Sequence, residues 1–395
     1  MQTSTLTPSA ITPDTSRTGL QILIMAVAAF VIVTTEFLIV GLLPALARDL
    51  NISVALAGQV VTLFAFTVML FGPVLTAKLA QVNRKHLFTG ILLIFAASNV
   101  LAALASNFWV LALARFIPAL FLPVFWGTAS ETAGRLAGPS KAGKAVARVY
   151  LGISAALVFG VPLGTLAADS VGWRGSFWIL AALCLLIGLL MHLCMPTLPS
   201  SPKRAAGDKQ TAILREPRFL AHVLLSVVAF TAMFTAYTYL ADTLESLAGI
   251  PTSQVGWWLM GFGAIGMIGN QIGGNMVDKS PLGAMLLFLL ILGAGMLAAV
   301  PLAANPIGLV IALIAWGIAY TALFPVCQVR VMQAGAKAQA LAATMNISAA
   351  NAGIGLGAIF GGLGIRHFGL ASLGIIATGI AALGVIIALL MLRRQ

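Results

Sequence analysis

Two ionisable side chains lie inside long apolar segments of this 395-residue chain. Glu36 lies about 14 residues into the first segment, which corresponds to about 21 Å of helix. Arg115 lies inside the fourth segment. Ionisable residues within a bilayer are costly and usually functional, and a carboxyl group at that depth can take up a proton on one side and release it on the other. We therefore predict that Glu36 and Arg115 form a proton-coupling pair.

Each of the two residues also has a structural interpretation. Glu36 could be a neutral carboxylic acid that hydrogen-bonds to a neighbouring helix, and Arg115, which stays charged, could bind backbone carbonyl groups. At 1.5 Å per residue the two lie at similar depth in a core of roughly 30 Å. Charges at similar depth can interact across a medium of low dielectric constant without touching.

Uncharged polar and aromatic side chains inside the apolar segments are candidates for the wall of a ligand cavity. Amide groups that faced lipid would be unsatisfied, so they are expected to face the protein interior. Tyr237 and Tyr239 are two positions apart, so one is expected to face the cavity and the other to pack. For the tryptophans, helix packing is an equal alternative. The candidates are Gln59, Trp126, Tyr237, Tyr239, Trp316, Asn346 and Asn351.

The segments that hold these residues have the length and composition of transmembrane helices. The chain is 60% hydrophobic and 8% charged, far from the composition of soluble domains. About twelve apolar runs approach or exceed the roughly 20 residues that a membrane-spanning helix needs. A barrel of short alternating strands would not give such runs. We predict an all-α membrane protein with twelve transmembrane helices.

The sequence repeats itself at half its length. NISVALAG at 51–58 resembles GIPTSQVG at 249–256, and ISAA at 153–156 returns at 347–350. The offsets of about 194–202 residues match half the chain, about 198 residues. This pattern predicts two pseudo-symmetric six-helix bundles, and duplicated transporters bind their ligand between such halves. The predicted divisions are a disordered tail at 1–20, bundles at 21–195 and 219–395, and a linker at 196–218.

Lys and Arg residues are distributed unequally between the two predicted sides of the membrane. If the N-terminus is cytoplasmic, about eighteen of them lie inside and only Arg48, Arg174 and Arg366 lie outside. We therefore predict a multi-pass membrane protein with both termini in the cytoplasm. Most of the basic residues behind the net charge of +12 then lie in cytoplasmic loops beside anionic lipid headgroups. No nucleic acid is therefore expected as a partner.

Four stretches resemble the major facilitator superfamily, and within it the twelve-span drug:proton antiporters near the bacterial sugar, arabinose and nucleoside efflux proteins. GISAALVFGVPLG at 152–164 is similar to the antiporter motif of the fifth helix, and ALARFIPALF at 112–121 to the motif of the fourth. GWRGSFW at 172–178 and TTEFLIVGLLPALARDL at 34–50 extend the resemblance. It implies a fifth helix that bends and packs tightly through Gly152, Gly160, Pro162 and Gly164.

The family's gate motif is incomplete in the first half of the chain. The family carries an acid followed by Gly-Arg-Lys after the second span, whereas AKLAQVNRKHL at 77–87 has Ala80 or Gln81 at the acid position. The second-half copy, GGNMVDKS at 273–280, keeps its acid. We predict a cytoplasmic gate formed by Arg84, Lys85, Glu131, Asp278 and Lys279.

The resemblance implies a monomeric, proton-coupled antiporter in the inner membrane of a bacterium, which exports small organic solutes, such as sugars or drugs, by alternating access. The alternatives are a proton-linked importer or facilitator of a small metabolite and a non-transporting sensor or scaffold. The sequence has no phosphate-binding loop, no metal-spaced His or Cys cluster, and no nucleophile beside a base. We therefore expect no enzyme activity, no cofactor and no metal. The expected partners are a small-molecule substrate, protons and the lipid bilayer.

Overall fold

The computed structural model describes residues 15–79, 82–138, 142–196, 211–277 and 279–393. These residues form helices and turns, and none of them belongs to a β-strand, so the predicted all-α fold is confirmed. The helices are α1 (Thr15–Asp49), α2 (Val54–Leu79), α3 (Arg84–Ala103), α4 (Phe108–Ala137), α5 (Ala142–Ala155), α6 (Val161–Cys194), α7 (Pro217–Tyr237), α8 (Leu240–Asp242), α9 (Thr252–Val277), α10 (Pro281–Ala299), α11 (Pro306–Ala334), α12 (Gln339–Phe368) and α13 (Leu373–Leu392). Short π-helical turns follow α5 at Ala156–Gly160 and α8 at Thr243–Leu247.

Ten stretches of the described chain are long and apolar enough to cross a membrane. One of them, Arg148–Cys194, has 47 residues and breaks at Gly172, where the backbone is left-handed with φ of 72°. A side chain would be strained there, and the break divides this stretch into a fifth and a sixth span. Helix α9, with 26 residues, adds one more span that its glycines and amides make less apolar. The helices thus supply the twelve predicted spans.

The two halves of the chain pack their helices in the same way. In the first half, α1 packs on α5 and α6, α2 on α4, and α3 on α6. The second half repeats these pairs in the same order, with α7 on α12, α9 on α11, and α10 on α13. This equivalence confirms the two pseudo-symmetric six-helix bundles. The bundles meet along two related seams, where α2 packs on α12 and where the π turn and α6 pack on α9.

Because the number of spans is even, the chain enters at Thr15 and leaves at Arg393 on the same side of the molecule. We call this side the terminal face and the opposite side the distal face. Helix α1 already begins at Thr15, inside the predicted tail 1–20, and α7 begins at Pro217, inside the predicted linker 196–218. The rest of the tail, 1–14, and most of the linker, 197–210, lie outside the described residues.

Candidate functional site

Arg115 connects α4 to the main chain of α1 beside Glu36. Its guanidinium donates to the carbonyl oxygens of Thr35 and Glu36 at 2.5 and 2.6 Å, and it lies 4.6 Å from the centre of the Phe64 ring. The side chain is only 2% exposed. No described residue hydrogen-bonds to the carboxyl of Glu36, which is half-buried and interacts with Arg115 electrostatically. The two residues therefore lie together, and Arg115 binds backbone carbonyls, the structural alternative considered from the sequence.

Aromatic rings of the second bundle face α1 next to Glu36. The rings of Phe37 and Phe234 are 6.1 Å apart between centres, and Glu36 is close enough to Tyr320 for an electrostatic interaction. Tyr320 packs against Tyr237 with ring centres 4.5 Å apart. Its hydroxyl is buried and has no hydrogen-bond partner among the described residues. Such groups are rare in folded proteins, so this hydroxyl is available to a bound molecule.

The glycines of the fifth span lie against α1 on either side of Glu36. A Cβ atom at Gly152 would meet the backbone of α1 near Ala26 and Phe30, and one at Gly160 would meet the side chain of Thr34. At Gly164 it would lie 2.6 Å from Leu38. Pro162 follows the π turn that ends at Gly160, and a proline disturbs the preceding helical hydrogen bonds because it lacks an N–H group.

A cavity of about 420 Å³ lies between the two bundles. Among the described lining residues, those of the first bundle belong to the fifth span, and those of the second bundle belong to α7, α9, α11 and α12. The aromatic residues Tyr237, Phe262, Tyr320 and Phe324 line its inner end. The wall continues from there along the terminal halves of α9 and α11. None of the described lining residues is charged.

The part of the cavity nearer the terminal face is lined by four uncharged polar residues, Tyr150, Ser154, Asn270 and Gln328. Of these, Gln328 is held in place from behind. Asn346, only 3% exposed, donates from Nδ2 to Gln328 Oε1 at 2.7 Å. Sequence reasoning missed Asn270, Gln328 and Tyr320.

Six of the seven predicted cavity residues do not line the cavity in this structure, and one of these six, Asn346, contacts the lining residue Gln328. Tyr239 and Gln59 meet at the seam between α2 and α12, where both donate to the carbonyl of Ala358. The distances are 2.8 Å from Tyr239 and 3.3 Å from Gln59. Trp316 is buried behind Phe262.

Two further predicted residues, Trp126 and Asn351, also do not line the cavity. Trp126 lies behind Tyr150, with ring centres 5.1 Å apart. Asn351 donates to the carbonyl of Ile347 in its own helix at 3.0 Å. Among the seven candidates, Tyr237 lines the cavity and Asn346 reaches it through Gln328.

At the terminal face, Glu131 lies between two arginines of the predicted gate region. Arg84, which is 1% exposed, donates to Glu131 Oε2 at 3.0 Å, and Arg135 lies 3.7 Å from Glu131 Oε1. Glu131 thus supplies Arg84 with a carboxylate from α4. Lys85 is half-buried and Lys279 is exposed. Asp278 lies outside the described residues, as do Ala80 and Gln81.

Besides Glu36 and Arg115, which the sequence singled out, Arg330 is a further ionisable residue within a span, and it is buried. Arg330 belongs to α11 and is 1% exposed. It donates to the carbonyl of His222 and to the hydroxyl of Ser226, both at 2.8 Å. His222 and Ser226 lie in α7, so Arg330 connects α11 to α7.

The distal face is closed by contacts between the two bundles. Arg48 at the end of α1 forms an ion pair with Glu245, which follows α8. Thr62 in α2 donates to the carbonyl of Gly355 in α12 at 3.2 Å. Gly263 in α9 lies so close to the fifth span that an added Cβ atom would be 2.8 Å from the carbonyl of Leu157. With the distal side closed, the cavity extends towards the terminal face.

Sequence comparison places this chain among known membrane transporters. The profile described as Major Facilitator Superfamily matches residues 25–335. The chain is 35% identical over 341 residues to the inner membrane transport protein YdhP of Escherichia coli strain K12, covering 86% of this chain and 87% of that protein. It is 31% identical over 353 residues to YtbD of Bacillus subtilis strain 168, described as an uncharacterized MFS-type transporter, with 88% and 89% covered.

Solved structures share the fold at low sequence identity. A bacterial homologue of the human lysosomal transporter Spinster, inward-facing and unoccupied, superposes with a TM-score of 0.80 at 16% identity, covering 96% of this chain and 98% of that one. The nucleoside transporter NupG gives a TM-score of 0.73 at 17% identity, with 95% and 98% covered. Together with the profile match and the relatives above, these likenesses identify the protein. The chain belongs to the major facilitator superfamily and is a multi-pass membrane transport protein.

Proposed function

We propose that the protein is a proton-coupled antiporter that exports small organic solutes across the bacterial inner membrane by alternating access. The observation that carries this proposal is Glu36, a carboxyl group deep in the first span without a hydrogen bond from any described residue. Glu131 and Glu245, in contrast, have ion-pair partners. An intramembrane acid that the fold does not use as a structural link is free to bind and release a proton.

The orientation of the transporter follows from the same proposal. The terminal face is assigned to the cytoplasm because most Lys and Arg residues lie on that side. The cavity then takes up its solute from the cytoplasm, while Arg48 and Glu245 close the distal face, which is the external side of the membrane. Proton binding at Glu36 from outside, after the bundles rock to the opposite conformation, would drive the return step.

Arg115 has two roles in this proposal. It holds α1 against α4 through the carbonyls of Thr35 and Glu36, and its charge favours release of the proton from Glu36. The three glycines of the fifth span keep that helix flush against α1. Movements of α1 and the fifth span are therefore expected to occur together.

The test uses proteoliposomes that contain a pH-sensitive dye. Solutes that the protein exchanges are first found by counterflow, and their uptake is then driven by a pH step without a membrane potential. One proton across one pH unit supplies about 1.36 kcal/mol, which sustains about a tenfold solute gradient.

Glu36→Gln should abolish this gradient while counterflow continues. Glu216→Gln is the matched control, because Glu216 is an exposed acid before α7. If Glu36→Gln vesicles still build a tenfold gradient, the proton carrier is another residue. If the wild-type protein gives counterflow but no pH-driven gradient, it is a facilitator.

A further inference from the structure

Polar groups lie on two opposite walls of a mainly apolar cavity. Asn270 and Gln328 project from α9 and α11 of the second bundle, opposite Tyr150 and Ser154 of the fifth span. Thr321 also lines the cavity, but its hydroxyl donates to the carbonyl of Gly317 in its own helix at 3.0 Å and contacts that of Gly266. The single hydrogen of the Thr321 hydroxyl is thus already used within the protein.

Gln328 is orientated by its neighbours. Its Oε1 accepts from Asn346, and its Nε2 lies 3.4 Å from the sulfur of Met332, one turn along α11. A thioether is a weak acceptor and cannot donate, so the amino group, rather than the carbonyl, is the end that faces Met332. The carbonyl of Gln328 already accepts one hydrogen bond, and the amino group, which has two hydrogens, keeps one for a ligand. Gln328 therefore presents a donor to the cavity.

The aromatic end of the cavity, formed by Tyr237, Phe262, Tyr320 and Phe324, provides an apolar surface of aromatic rings. The rings of Tyr320 and Phe324 lie 5.6 Å apart between centres, and Tyr237 and Phe262 are stacked at 5.8 Å. None of the described lining residues carries a charge that could balance a charged ligand. Moving an unpaired charge out of water into such a chamber is costly, whereas a neutral group loses little if its acceptor finds a donor.

We propose that Gln328 determines the specificity of this cavity by donating to an acceptor oxygen of an uncharged organic solute, and that Asn346 is its positioning residue. The solute combines that oxygen with a flat apolar part that packs on the aromatic rings. This inference rests on the proposed function in one respect, because it assumes that this cavity is the site where the transported solute binds. Its test measures binding at equilibrium, without a pH gradient, so a failure of proton coupling leaves it intact.

The test uses three probes with one indole body. They are indole-3-acetamide, which is neutral and has an acceptor carbonyl, indole-3-acetate, which is an anion, and tryptamine, which is a cation. Binding to the purified full-length protein in lipid nanodiscs is measured by calorimetry at pH 7. Indole-3-acetamide should bind at least about tenfold more tightly than the two ions. No binding of the amide, or equal binding of an ion, would overturn the proposal.

Variants of similar size identify the residues responsible. Gln328→Met should weaken indole-3-acetamide binding about three- to tenfold, the usual range for one lost hydrogen bond. Asn346→Leu should weaken it less, and the double variant should equal Gln328→Met alone, because Asn346 acts only through Gln328. Gln328→Asn should not restore binding in full, since its shorter side chain moves the donor away.

The matched control is Asn351→Leu. Asn351 lies on the same helix as Asn346 but hydrogen-bonds within that helix, so its replacement should leave the affinity unchanged. If Gln328→Met binds the amide like the wild type, or if the effects of the Gln328 and Asn346 substitutions add, the proposed roles are wrong. The unfolding temperature of each variant in the nanodiscs shows whether a loss of binding reflects loss of the fold.

Discussion

The ion pair between Arg48 and Glu245 should bias the protein towards the conformation closed at the distal face. It joins the end of α1 to the segment after α8, and the side chains are 56% and 20% exposed. At such exposure an ion pair contributes about 0.2–1 kcal/mol. Removing it should therefore raise the population open at the distal face by about 1.4- to 5-fold, because 1.4 kcal/mol corresponds to tenfold.

The assay is the rate at which an impermeant maleimide labels Val255→Cys in a protein without its native cysteines. Val255 is 2% exposed and lines a cavity of about 150 Å³ at the distal end, so labelling requires opening. Arg48→Gln and Glu245→Gln should each accelerate labelling, and their combination should match one of them rather than the product. Salt near 1 M should reduce the difference. Unchanged rates in both single variants, or multiplied rates in the double variant, would refute this reasoning.

Two further substitutions test the packing around the site by thermal unfolding. Gly160→Ala should lower the free energy of unfolding by about 1–3 kcal/mol, because the added Cβ would overlap Thr34. Gly379→Ala should leave it unchanged, because an added Cβ there meets open space. Equal effects of the two substitutions would contradict this packing. Glu131→Gln should lower the free energy of unfolding by about 1–2 kcal/mol, because it weakens the contact with the buried Arg84. The loss is smaller than that of a fully buried ion pair, since the side chain of Glu131 is partly exposed. An unchanged unfolding temperature would show that Arg84 relies on other partners.

Depth within the membrane could be predicted from the sequence, whereas rotation about a helix axis could not. Glu36 and Arg115 were expected at similar depth because the helical rise is fixed, and the structure places them together. Tyr320 and Gln328 lie in a span that is apolar on most of its surface, so no polar stripe marks the face that meets the cavity. Their contribution became visible only with the packing of α11 against α9.

Amides at the seams show a second limit of sequence reasoning. Gln59 was expected in the cavity because its amide would be unsatisfied in lipid. The structure satisfies it differently, since the glycine-rich stretch of α12 lets α2 approach closely enough for Gln59 to reach the carbonyl of Ala358. Arg330 was not singled out for a related reason, because the partners that make its burial possible come from α7. In both cases the partner lies about 100 residues or more away in sequence, where local patterns give no signal.

Arg115 holds α1 against α4 through main-chain oxygens and not through the carboxyl group of Glu36. The carbonyl groups of Thr35 and Glu36 are present whatever side chain occupies position 36. The joint between the first and fourth spans therefore persists when the carboxyl is charged, neutral or replaced by an amide. Glutamate and glutamine codons differ by one base, so, if Glu36 carries the proton as we propose, a single point mutation would turn a coupled carrier into a passive one with its fold unchanged. Selection for stability alone would not detect that loss.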